Sequence, residues 1–546
     1  MRVERNLPVT AADGARLLVD HHLPGAGSAG ANSANRGANS ANRNVVVWIR
    51  TPYGRKGIAS IAKRFTSTGA HVIVEAIRGT DGSDGSFDGT TFALGDAQAV
   101  AAWLRTQPWF GGMIVTWGLS AIGYASWALA GSDIPEWRLA ILQDAQSELR
   151  DAIVYPGGVF AGKVMLGYVH DVEWLARHQR ASVPRAMLAS VLNARRLTKV
   201  LATLPLGSSD ERLVGHRVDY FQQWLAREHD DEYWNQLDLR RNAHRMPAMV
   251  HLATGWYDVC LASVLADYRA LRDAGRQVRL IVGPWYHGRG VMDKPYRAEV
   301  NTWLRAASQD GSPPPGCPVR VHIGGLEEWR ELPDWPPPEY QPLDWHLQPD
   351  GGLATRVPPG SPPDRYRYDP AQPTPAVGGA MENWDGGAGA KDNRSLEGRA
   401  DVLTYTSDPL DDGMEIIGPV TATITFRSTL EHTDLFARVC DVDTDGRSIN
   451  LCDGIRRLRP NDPPVDDEGI RTVAIDLIAA AHRFRAGHRL RLQISSGAHP
   501  RLVRNTGTGE PHATATTLRV ADQEIFHDPA HPSVLTVRCA DPPSSR

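Results

Sequence analysis

Short apolar runs alternate with amphipathic segments through the first half of the chain. The runs have the length of buried strands, and they occupy residues 44–49, 71–76, 113–115, 248–253 and 278–282. Residues 93–106 repeat apolar positions with a helical period, which predicts an amphipathic helix. Small residues predict a second, tightly packed helix over 121–130, and residues 261–274 predict a third. Strands that alternate with helices in this way predict a mostly parallel α/β sheet.

The chain begins with a predicted antiparallel pair of strands over residues 1–25. Asp13-Gly14 is a hairpin turn signal between the two strands. The adjacent His21 and His22 would point to opposite faces of their strand, so they would be poor metal co-ligands. Residues 25–44 are rich in Gly, Ala, Ser and Asn and contain a short repeat, which predicts a flexible surface insertion.

Two later regions break the α/β pattern. Residues 145–245 contain mostly helical patterns, and an insertion at this position would form a lid over the turn at residue 120. From about residue 312, proline-rich segments are followed by strands of period-two alternation, as in 420–426 and 490–494. The second half is therefore predicted to be an all-β sandwich.

Length, charge and cysteine usage narrow the class of protein. A chain of 546 residues is too long for one core, so two or three domains are expected. The net charge of −4 indicates neither a nucleic-acid partner nor an anionic membrane surface. The five cysteines are scattered, odd in number and without CxxC spacing, which favours free thiols in a reducing compartment. The first residues show no signal peptide, so a cytoplasmic location is expected.

Residues 106–132 carry no formal charge and are long enough to resemble a membrane span. Their glycines and their strand-turn-helix pattern favour a buried element of a globular domain instead. We therefore predict no membrane segment.

The turn at Ser120 is the first candidate for chemistry. It lies between a predicted strand and a predicted helix and is flanked by Gly118 and Gly123. Such a turn needs glycines because its backbone is strained and a Cβ would collide with the strand or the helix. The helix N-terminus behind it favours developing negative charge. The spacing is G-x-S-x-x-G, not the commoner G-x-S-x-G, so on this motif alone a serine that caps a core helix remains an alternative.

Two further strand ends carry residues of complementary chemistry. In open α/β sheets, ligands bind beyond the carboxyl ends of the strands, and Asp258 and His287 each follow a predicted strand. The order Ser120, Asp258, His287 is the chain order of α/β-hydrolase triads. Taken singly, Asp258 could cap the helix that follows it, and His287 could be a buried loop histidine. Together the three residues predict a catalytic triad.

Two other motifs are interpreted as turns. The glycine-rich loop 78–85 matches neither G-x-G-x-x-G nor the Walker A pattern, and its aspartates would repel a phosphate. Residues 441–446 resemble the opening of an EF-hand loop, but the twelfth position is Cys452 where a glutamate is needed.

Several short motifs accompany the candidate triad along the chain. They are Thr51-Pro52-Tyr53, Arg78-Gly79-Thr80, Gly118-Leu119-Ser120, Gly255-Trp256-Tyr257-Asp258, Gly283-Pro284-Trp285-Tyr286-His287, residues 401–406, residues 445–454 and residues 504–509. With these motifs the chain resembles the cocaine esterase/X-Pro dipeptidyl-peptidase (CocE/NonD) family of serine hydrolases. That family also contains α-amino acid ester hydrolases and glutaryl-cephalosporin acylases. The resemblance spans nearly the whole chain outside 25–44 and is weakest in the helical lid.

This resemblance implies an α/β fold with an α/β-hydrolase core, a helical cap and a C-terminal all-β jelly roll. The first part of the core is expected over 1–144 and the cap over 145–245. The second part of the core is expected over 246–312, and the jelly roll over 313–546.

The resemblance also implies roles for individual residues. Ser120 would be the nucleophile, His287 the general acid and base, and Asp258 the group that orients the imidazole. The oxyanion hole would consist of the Tyr53 hydroxyl and the backbone N–H of Ala121. The family usually has tyrosine directly after the serine, so Ala121 reshapes the pocket without removing the N–H. The substrate pocket is expected to include Tyr124, Trp256, Cys260 and Trp285, with no metal and no cofactor.

We therefore expect a serine hydrolase that cleaves small-molecule carboxylic esters or amides through an acyl-enzyme. The enzymatic alternative is an X-Pro dipeptidyl-peptidase, an α-amino acid ester hydrolase or a β-lactam acylase. Dipeptidyl-peptidase and amino-ester activities need carboxylates that bind an α-ammonium group, for which the cap offers only diffuse candidates such as Asp171 and Glu173. An alternative of another class is a non-catalytic binding protein that uses the jelly roll. Self-association into a homo-oligomer is left open.

Overall fold

A computed structural model describes residues 2–25, 42–89, 94–177, 194–309, 311–382 and 386–540. Most of the predicted insertion, from 26 to 41, lies outside the described residues, as does the end of the helical pattern predicted over 172–192. The described chain forms two large sheets, one of ten strands and one of eleven.

The first sheet is mixed, with a parallel centre. Its strands are β1 (Val3–Thr10), β2 (Arg16–His22), β3 (Val45–Thr51), β4 (His71–Ala76), β5 (Met113–Leu119), β6 (Trp137–Gln143), β7 (Met249–Tyr257), β8 (Gln277–Tyr286), β9 (Val319–Ile323) and β10 (Glu328–Leu332). They lie in the order β1-β2-β4-β3-β5-β6-β7-β8-β9-β10. Strands β3 to β9 pair in parallel, and antiparallel strands complete both edges. The predicted parallel sheet and the initial hairpin are confirmed.

Helices cover both faces of this sheet and form the cap, except for the last one along the chain, a short helix of the C-terminal half. In chain order they are α1 (Ala59–Thr66), α2 (Leu94–Arg105), α3 (Ala121–Ala128), α4 (Gly162–Arg177), α5 (194–201), α6 (Ser209–Val214), α7 (Asp219–Ala226), α8 (Asp231–Gln236), α9 (Leu261–Asp273), α10 (Lys294–Gln309) and α11 (Arg394–Glu397). Two apolar clusters bury opposite faces of strands such as β3, where every residue is buried. Burial on both faces explains why these strands are continuous apolar runs and do not alternate.

The cap consists of the helices between β6 and β7. Helix α7 buries Tyr220, Phe221, Trp224 and Leu225. These side chains form one apolar face, through which the helix packs against the protein. The Tyr155 hydroxyl donates to the carbonyl of Trp224 at 3.0 Å. The predicted helical region after the first part of the core is thus present. No helix among the described residues is long and apolar enough to cross a lipid bilayer.

The second sheet contains all strands of the C-terminal half after residue 340. They are β11 (Gln341–Gln348), β12 (Gly352–Ala354), β13 (Asp364–Tyr368), β14 (Leu403–Ser407), β15 (Met414–Ser428), β16 (Thr433–Val442), β17 (Ser448–Leu458), β18 (Arg471–Phe484), β19 (Arg489–Ser495), β20 (Ala521–Phe526) and β21 (Val534–Cys539). Strand β18 alternates buried and exposed residues over its first half, as a sheet with one solvated face requires. The predicted all-β character of this half is confirmed.

The motif at 441–446 is a hairpin turn between β16 and β17, as predicted. The Asp443 carboxylate accepts hydrogen bonds from the backbone N–H groups of Asp445 and Arg447, at 3.0 and 2.9 Å. These bonds stabilise the turn, and this local role explains why an aspartate occupies the position.

The predicted boundary at 312 between the two halves falls between α10 and β9. Strands β9 and β10 follow that residue and pair with the first sheet. Strands β8 and β9 pair in parallel, so the chain must cross over between them. Helix α10 and the proline-rich segment after it form this crossover. The domain boundaries stay a prediction, and we propose Leu332 as the last residue of the first sheet's unit.

Candidate active site

Ser120 lies on a sharp turn between β5 and α3, at the carboxyl edge of the first sheet. Its backbone has φ 55° and ψ −128°, a conformation that costs energy for a residue with a side chain. A Cβ on Gly118 would lie 2.4 Å from the Cα of Gly123, and a Cβ on Gly123 would lie 2.2 Å from the Cβ of Ala145. The two glycines therefore permit the close approach that the sequence analysis predicts for a nucleophile elbow.

The end of β6 holds this turn in place. The Ser120 N–H points at two carbonyl oxygens, those of Gln143 and Asp144, each at 3.1 Å. The Ser120 carbonyl accepts from the N–H groups of Gly123 and Tyr124, which begins helix α3. Backbone bonds on both sides thus maintain the strained conformation.

Asp258 and His287 form a hydrogen-bonded pair beyond the ends of β7 and β8. The Nδ1 atom of His287 lies 2.8 Å from Oδ1 of Asp258. Asp258 is fully buried, and it also accepts from the Thr254 hydroxyl at 2.9 Å and from the Cys260 N–H at 3.0 Å. Because Asp258 occupies Nδ1, the imidazole presents Nε2 as its other nitrogen.

Burial and pairing act in opposite directions on these two groups. Burial raises the pKa of Asp258, but the positive charge and hydrogen bond of His287 lower it by more, to below its ordinary value. Burial lowers the pKa of His287, but the Asp258 carboxylate outweighs this, so the pKa lies above 6.5. The pair therefore favours an ionised aspartate beside a histidine that can accept a proton.

Ser120 and His287 border one cavity beneath the cap. Apolar side chains make up most of its wall, and they are Leu149, Ile153, Val154, Val164, Met165 and Val259. Three of these come from the segment around the π-helical turn Arg150–Val154. A mostly apolar wall with a few converging polar groups is typical of a small-molecule site.

Of the two predicted oxyanion-hole residues, Ala121 borders the cavity, and Tyr53 packs against a residue that does. Ala121 borders the cavity, and as the first residue of α3 its N–H has no acceptor one turn earlier. The Tyr53 ring packs edge-on against Tyr168, a cavity residue, with centroids 6.3 Å apart. Burial raises the pKa of Tyr53 well above 10, so the phenol keeps the proton that it would donate.

Of the predicted pocket residues, two border the cavity and two do not. Tyr124 and Cys260 border it. The Trp256 indole donates to the carbonyl of His322 at 2.8 Å, and the Trp285 ring packs on Tyr296 and Trp329. Each tryptophan lies two residues before a triad member, a spacing that strand alternation alone would place on the same face. The β7–β8 pairing shifts register between Gly255 and Tyr257, so regular alternation is interrupted there.

Cys260 is a buried neutral thiol in this arrangement. Burial raises its pKa well above the ordinary value, and its Sγ lies 3.5 Å from the Gln146 side-chain oxygen. Atoms of Asp258, Cys260 and His287 lie within 4.8 Å of one another, close enough for a metal ion. The Asp258–His287 hydrogen bond would have to break to admit one, so we assign no metal here.

Three residues at the site were missed from the sequence. Glu382 comes from the C-terminal half and borders the cavity together with Gln146. Asp144 lies behind Asp258 and directly follows strand β6. The rule that ligands bind beyond strand ends would have drawn attention to Asp144, whereas no local pattern marks Glu382.

Sequence comparison shows what this chain is similar to. Residues 13–289 match the X-Pro dipeptidyl-peptidase (S15) family, and residues 302–536 match the X-Pro dipeptidyl-peptidase C-terminal non-catalytic domain. A cocaine esterase of Rhodococcus sp. (strain MB1 Bresler) is 29% identical over 581 aligned residues, which cover 98% of each chain.

Solved structures share the architecture over its whole length. An aminopeptidase from a marine sediment Thaumarchaeota archaeon superimposes with a TM-score of 0.80 at 19% identity, covering 99% of this chain and 97% of that one. An α-amino acid ester hydrolase superimposes with a TM-score of 0.79 at 18% identity, covering 98% of this chain and 96% of that one. At such identities these structures establish the fold alone.

The family match spans the elements that carry Ser120, Asp258 and His287, and a second match continues through the β-rich half. It leaves no support for the alternative of a non-catalytic binding protein. The protein is an enzyme, a serine hydrolase, and the chain belongs to the X-Pro dipeptidyl-peptidase (S15) family.

Proposed function

We propose that the protein cleaves carboxylic esters of small molecules through a covalent acyl-enzyme formed on Ser120. The observation that carries this proposal is that Ser120 and His287 border one apolar cavity while Asp258 holds the opposite nitrogen of the imidazole. This arrangement suits a hydroxyl nucleophile, its base and the group that orients the base.

In the proposed reaction, His287 Nε2 takes the proton of the Ser120 hydroxyl as the oxygen attacks the substrate carbonyl carbon. The carbonyl oxygen becomes an oxyanion, which the Tyr53 hydroxyl and the Ala121 N–H stabilise. The imidazolium then protonates the leaving alcohol, and the carbon–oxygen bond to that alcohol breaks. A water molecule, deprotonated by the same imidazole, attacks the acyl-enzyme, and its collapse releases the acid and restores Ser120.

The wall of the cavity supports an ester with a short apolar acyl or alcohol group. Seven of the lining side chains, Ala121 included, are aliphatic or methionine, and Ser120 and His287 border the same cavity. The similar protein from Rhodococcus is named a cocaine esterase, which agrees with an ester substrate. No cofactor takes part in the proposed steps.

A second candidate, hydrolysis of esters or amides that carry an α-ammonium group, is favoured by Glu382. Its carboxylate borders the cavity with Ser120, and its negative charge acts on His287 from the C-terminal half. An α-ammonium near this carboxylate would gain a charge-assisted hydrogen bond. Asp171, the cap residue considered from sequence, instead pairs with His170 at 3.0 Å.

Burst kinetics with p-nitrophenyl acetate and p-nitrophenyl butyrate test the acyl-enzyme. The wild type should release one equivalent of p-nitrophenol rapidly and then turn over, and Ser120→Ala should abolish both phases. A fluorophosphonate probe should label the wild type and not the variant. If folded wild-type protein showed neither a burst nor labelling, the proposal would be wrong.

A matched substrate pair separates the two candidates. The p-nitrophenyl esters of butyrate and 2-aminobutyrate differ only in the α-ammonium. Preference for the amino ester that falls in Glu382→Gln, and not in the exposed control Glu328→Gln, would establish the second candidate. Preference for the plain ester in all three proteins would establish the first.

We further propose a jelly-roll topology for the second sheet and a cytoplasmic location. All five cysteines are free in the described residues, in accord with a reducing compartment. The proposed substrates are small molecules, and self-association remains to be measured by sedimentation.

A further inference from the structure

Asp144 lies at the centre of the candidate active site, although it does not belong to the proposed triad. It directly follows β6, is fully buried, and has a positive φ of 46°. Aspartate tolerates this conformation better than most residues, but it still has a cost. The contacts of Asp144 explain why the fold accepts that cost.

Its backbone joins two of the segments that carry the triad. The Asp144 N–H donates to the carbonyl of Ala253 on β7 at 2.8 Å, five residues before Asp258. The Asp144 carbonyl accepts from the Ser120 N–H at 3.1 Å. The side chain reaches the third segment, because Oδ2 accepts from the Gly288 N–H at 2.9 Å, next to His287.

The carboxyl groups of Asp144 and Asp258 are both fully buried and contact adjacent residues, Gly288 and His287, at 2.9 and 2.8 Å. The two carboxyls are therefore neighbours that interact with each other. Oδ2 of Asp144 receives a second donor, the Gln143 amide at 3.3 Å, whereas Oδ1 is buried without a donor among the described residues. Two carboxylates so close in a buried site cannot both be ionised at low cost. A shared proton would turn their repulsion into a hydrogen bond.

We propose that Asp144 is a neutral carboxylic acid that donates a hydrogen bond to ionised Asp258 and acts as a positioning residue for the triad. It would hold the Asp258 carboxylate toward His287 and fix the loop after His287 through Gly288. The expected kinetic effects rest on the proposed function, whereas the protonation state of Asp144 does not.

The titratable groups around Asp144 agree with this assignment. Burial, and then the negative charge of Asp258, raise the pKa of Asp144 well above its ordinary value. The other groups that interact with Asp144 are Cys260 and Tyr296, and burial raises the pKa of both, so they stay neutral. Asp258 thus carries the negative charge of this pair, and Glu382 is a further carboxylate whose charge acts on His287.

Two substitutions test the positioning role. Asp144→Ala removes the donor to Asp258 and the acceptor for Gly288, so kcat should fall about 10- to 100-fold with little change in KM. Asp144→Asn keeps a donor and an acceptor, so it should stay within about fivefold of wild type. Folded Asp144→Ala with wild-type kcat would overturn the proposal.

The pH profile of Asp144→Asn tests the protonation state. A neutral acid and an amide carry the same charge, so the acid limb of kcat/KM should stay in place. If Asp144 were ionised, its replacement would remove a negative charge near His287, lower the pKa of His287 and move the limb to lower pH. Such a shift would overturn the proposal.

Infrared difference spectroscopy gives a test that needs no activity. At pH 8, the spectrum of wild type minus Asp144→Asn should contain the C=O band of a protonated carboxylic acid. Asp267→Asn is the matched control, because Asp267 is equally buried but has a pKa of about 6 and is ionised at this pH. Absence of the acid band overturns the proposal even if the acyl-enzyme is established. Its presence upholds the shared proton even if the proposed ester hydrolysis fails.

Discussion

Two buried aspartates, Asp258 beside the cavity and Asp434 on β16, are held by different kinds of partner. Asp434 accepts two hydrogen bonds from Arg457, both 2.9 Å long, and a third from the Asn505 amide at 2.8 Å. Asp258 instead faces a histidine and a second carboxyl group. Both side chains are removed from water, so burial alone does not distinguish them.

The difference lies in whether the partner can exchange a proton. Burial lowers the pKa of Arg457, but Asp434 raises it by more, so the guanidinium keeps its charge at any ordinary pH. Around Asp258, burial and the Asp258 charge raise the pKa of Asp144 well above its ordinary value, and the Asp258 carboxylate raises the pKa of His287. A buried pair with a permanent cation builds structure, whereas a buried pair with a titratable partner at a cavity can perform acid-base chemistry.

Asp258→Asn gives the largest expected effect and tests the catalytic side of this comparison. The amide can force the wrong imidazole tautomer and cannot stabilise the imidazolium, so kcat/KM should fall about 10⁴-fold. Steady-state hydrolysis of a p-nitrophenyl ester measures it. The control Asp267→Asn, another buried aspartate that follows β7, should lose far less. Equal losses in the two variants would contradict a special role for Asp258.

Asp434→Ala tests the structural side. It leaves the Arg457 guanidinium buried without its carboxylate, so the free energy of unfolding should fall by about 3–5 kcal/mol. Urea denaturation measures the loss, and kcat of the folded fraction should stay near wild type. Asp522→Ala is the matched control, because Asp522 also pairs with a cross-strand arginine, Arg367, but the two side chains are 51% and 70% exposed.

The control Asp522→Ala should lower the free energy of unfolding by less than about 1 kcal/mol, since water screens an exposed ion pair. A large loss of kcat in folded Asp434→Ala, with little change in stability, would break the comparison.

Tyr53→Phe tests whether a phenol assists the triad. Removal of one oxyanion donor should reduce kcat by about 10²- to 10³-fold with little effect on KM. The neighbouring Tyr168→Phe is the control, because its hydroxyl donates to the Gly89 carbonyl at 3.2 Å. It should lose less than about tenfold, as expected for one neutral hydrogen bond. Similar losses in both variants would remove Tyr53 from the oxyanion hole.

The pH dependence of kcat/KM gives the smallest expected effect. His287 must be neutral to act as a base, and Asp258 raises its pKa above 6.5. Activity should therefore rise with pH through a midpoint above 6.5 and fall below it. Asp258→Asn removes the nearby negative charge, so its residual activity should show a midpoint at lower pH. A wild-type midpoint well below 6.5 would contradict the charge pairing.

Much of the fold follows from local sequence patterns. The apolar runs predicted β3, β4, β5, β7 and β8 in order, whereas β6 was missed. The small residues after Ser120 predicted α3, because periodicity and turn chemistry act over a few residues. The proline-rich segment near 313, at the predicted start of the second half, connects α10 to β9. Its place as the connection to β9 depends on sheet pairing, which local composition does not encode.

The candidate site divides in the same way. Ser120, Asp258 and His287 were found by their type and order at strand ends, and Tyr124 and Cys260 by proximity to them. Trp256 and Trp285 are equally near in sequence, yet they face away from the cavity. Which way a side chain points at the end of a strand depends on register and on the elements that pack there.

The sequence alone determined the order and type of the core strands and helices, the strained serine turn with its two glycines, and the Ser–Asp–His order. These are properties of neighbouring residues along the chain. Only the tertiary structure brought Glu382 from the C-terminal half to the cavity and Asp144 to Asp258. Burial and the distance between charges are properties of space around a group, so they decide which carboxyl keeps its proton once the chain has folded.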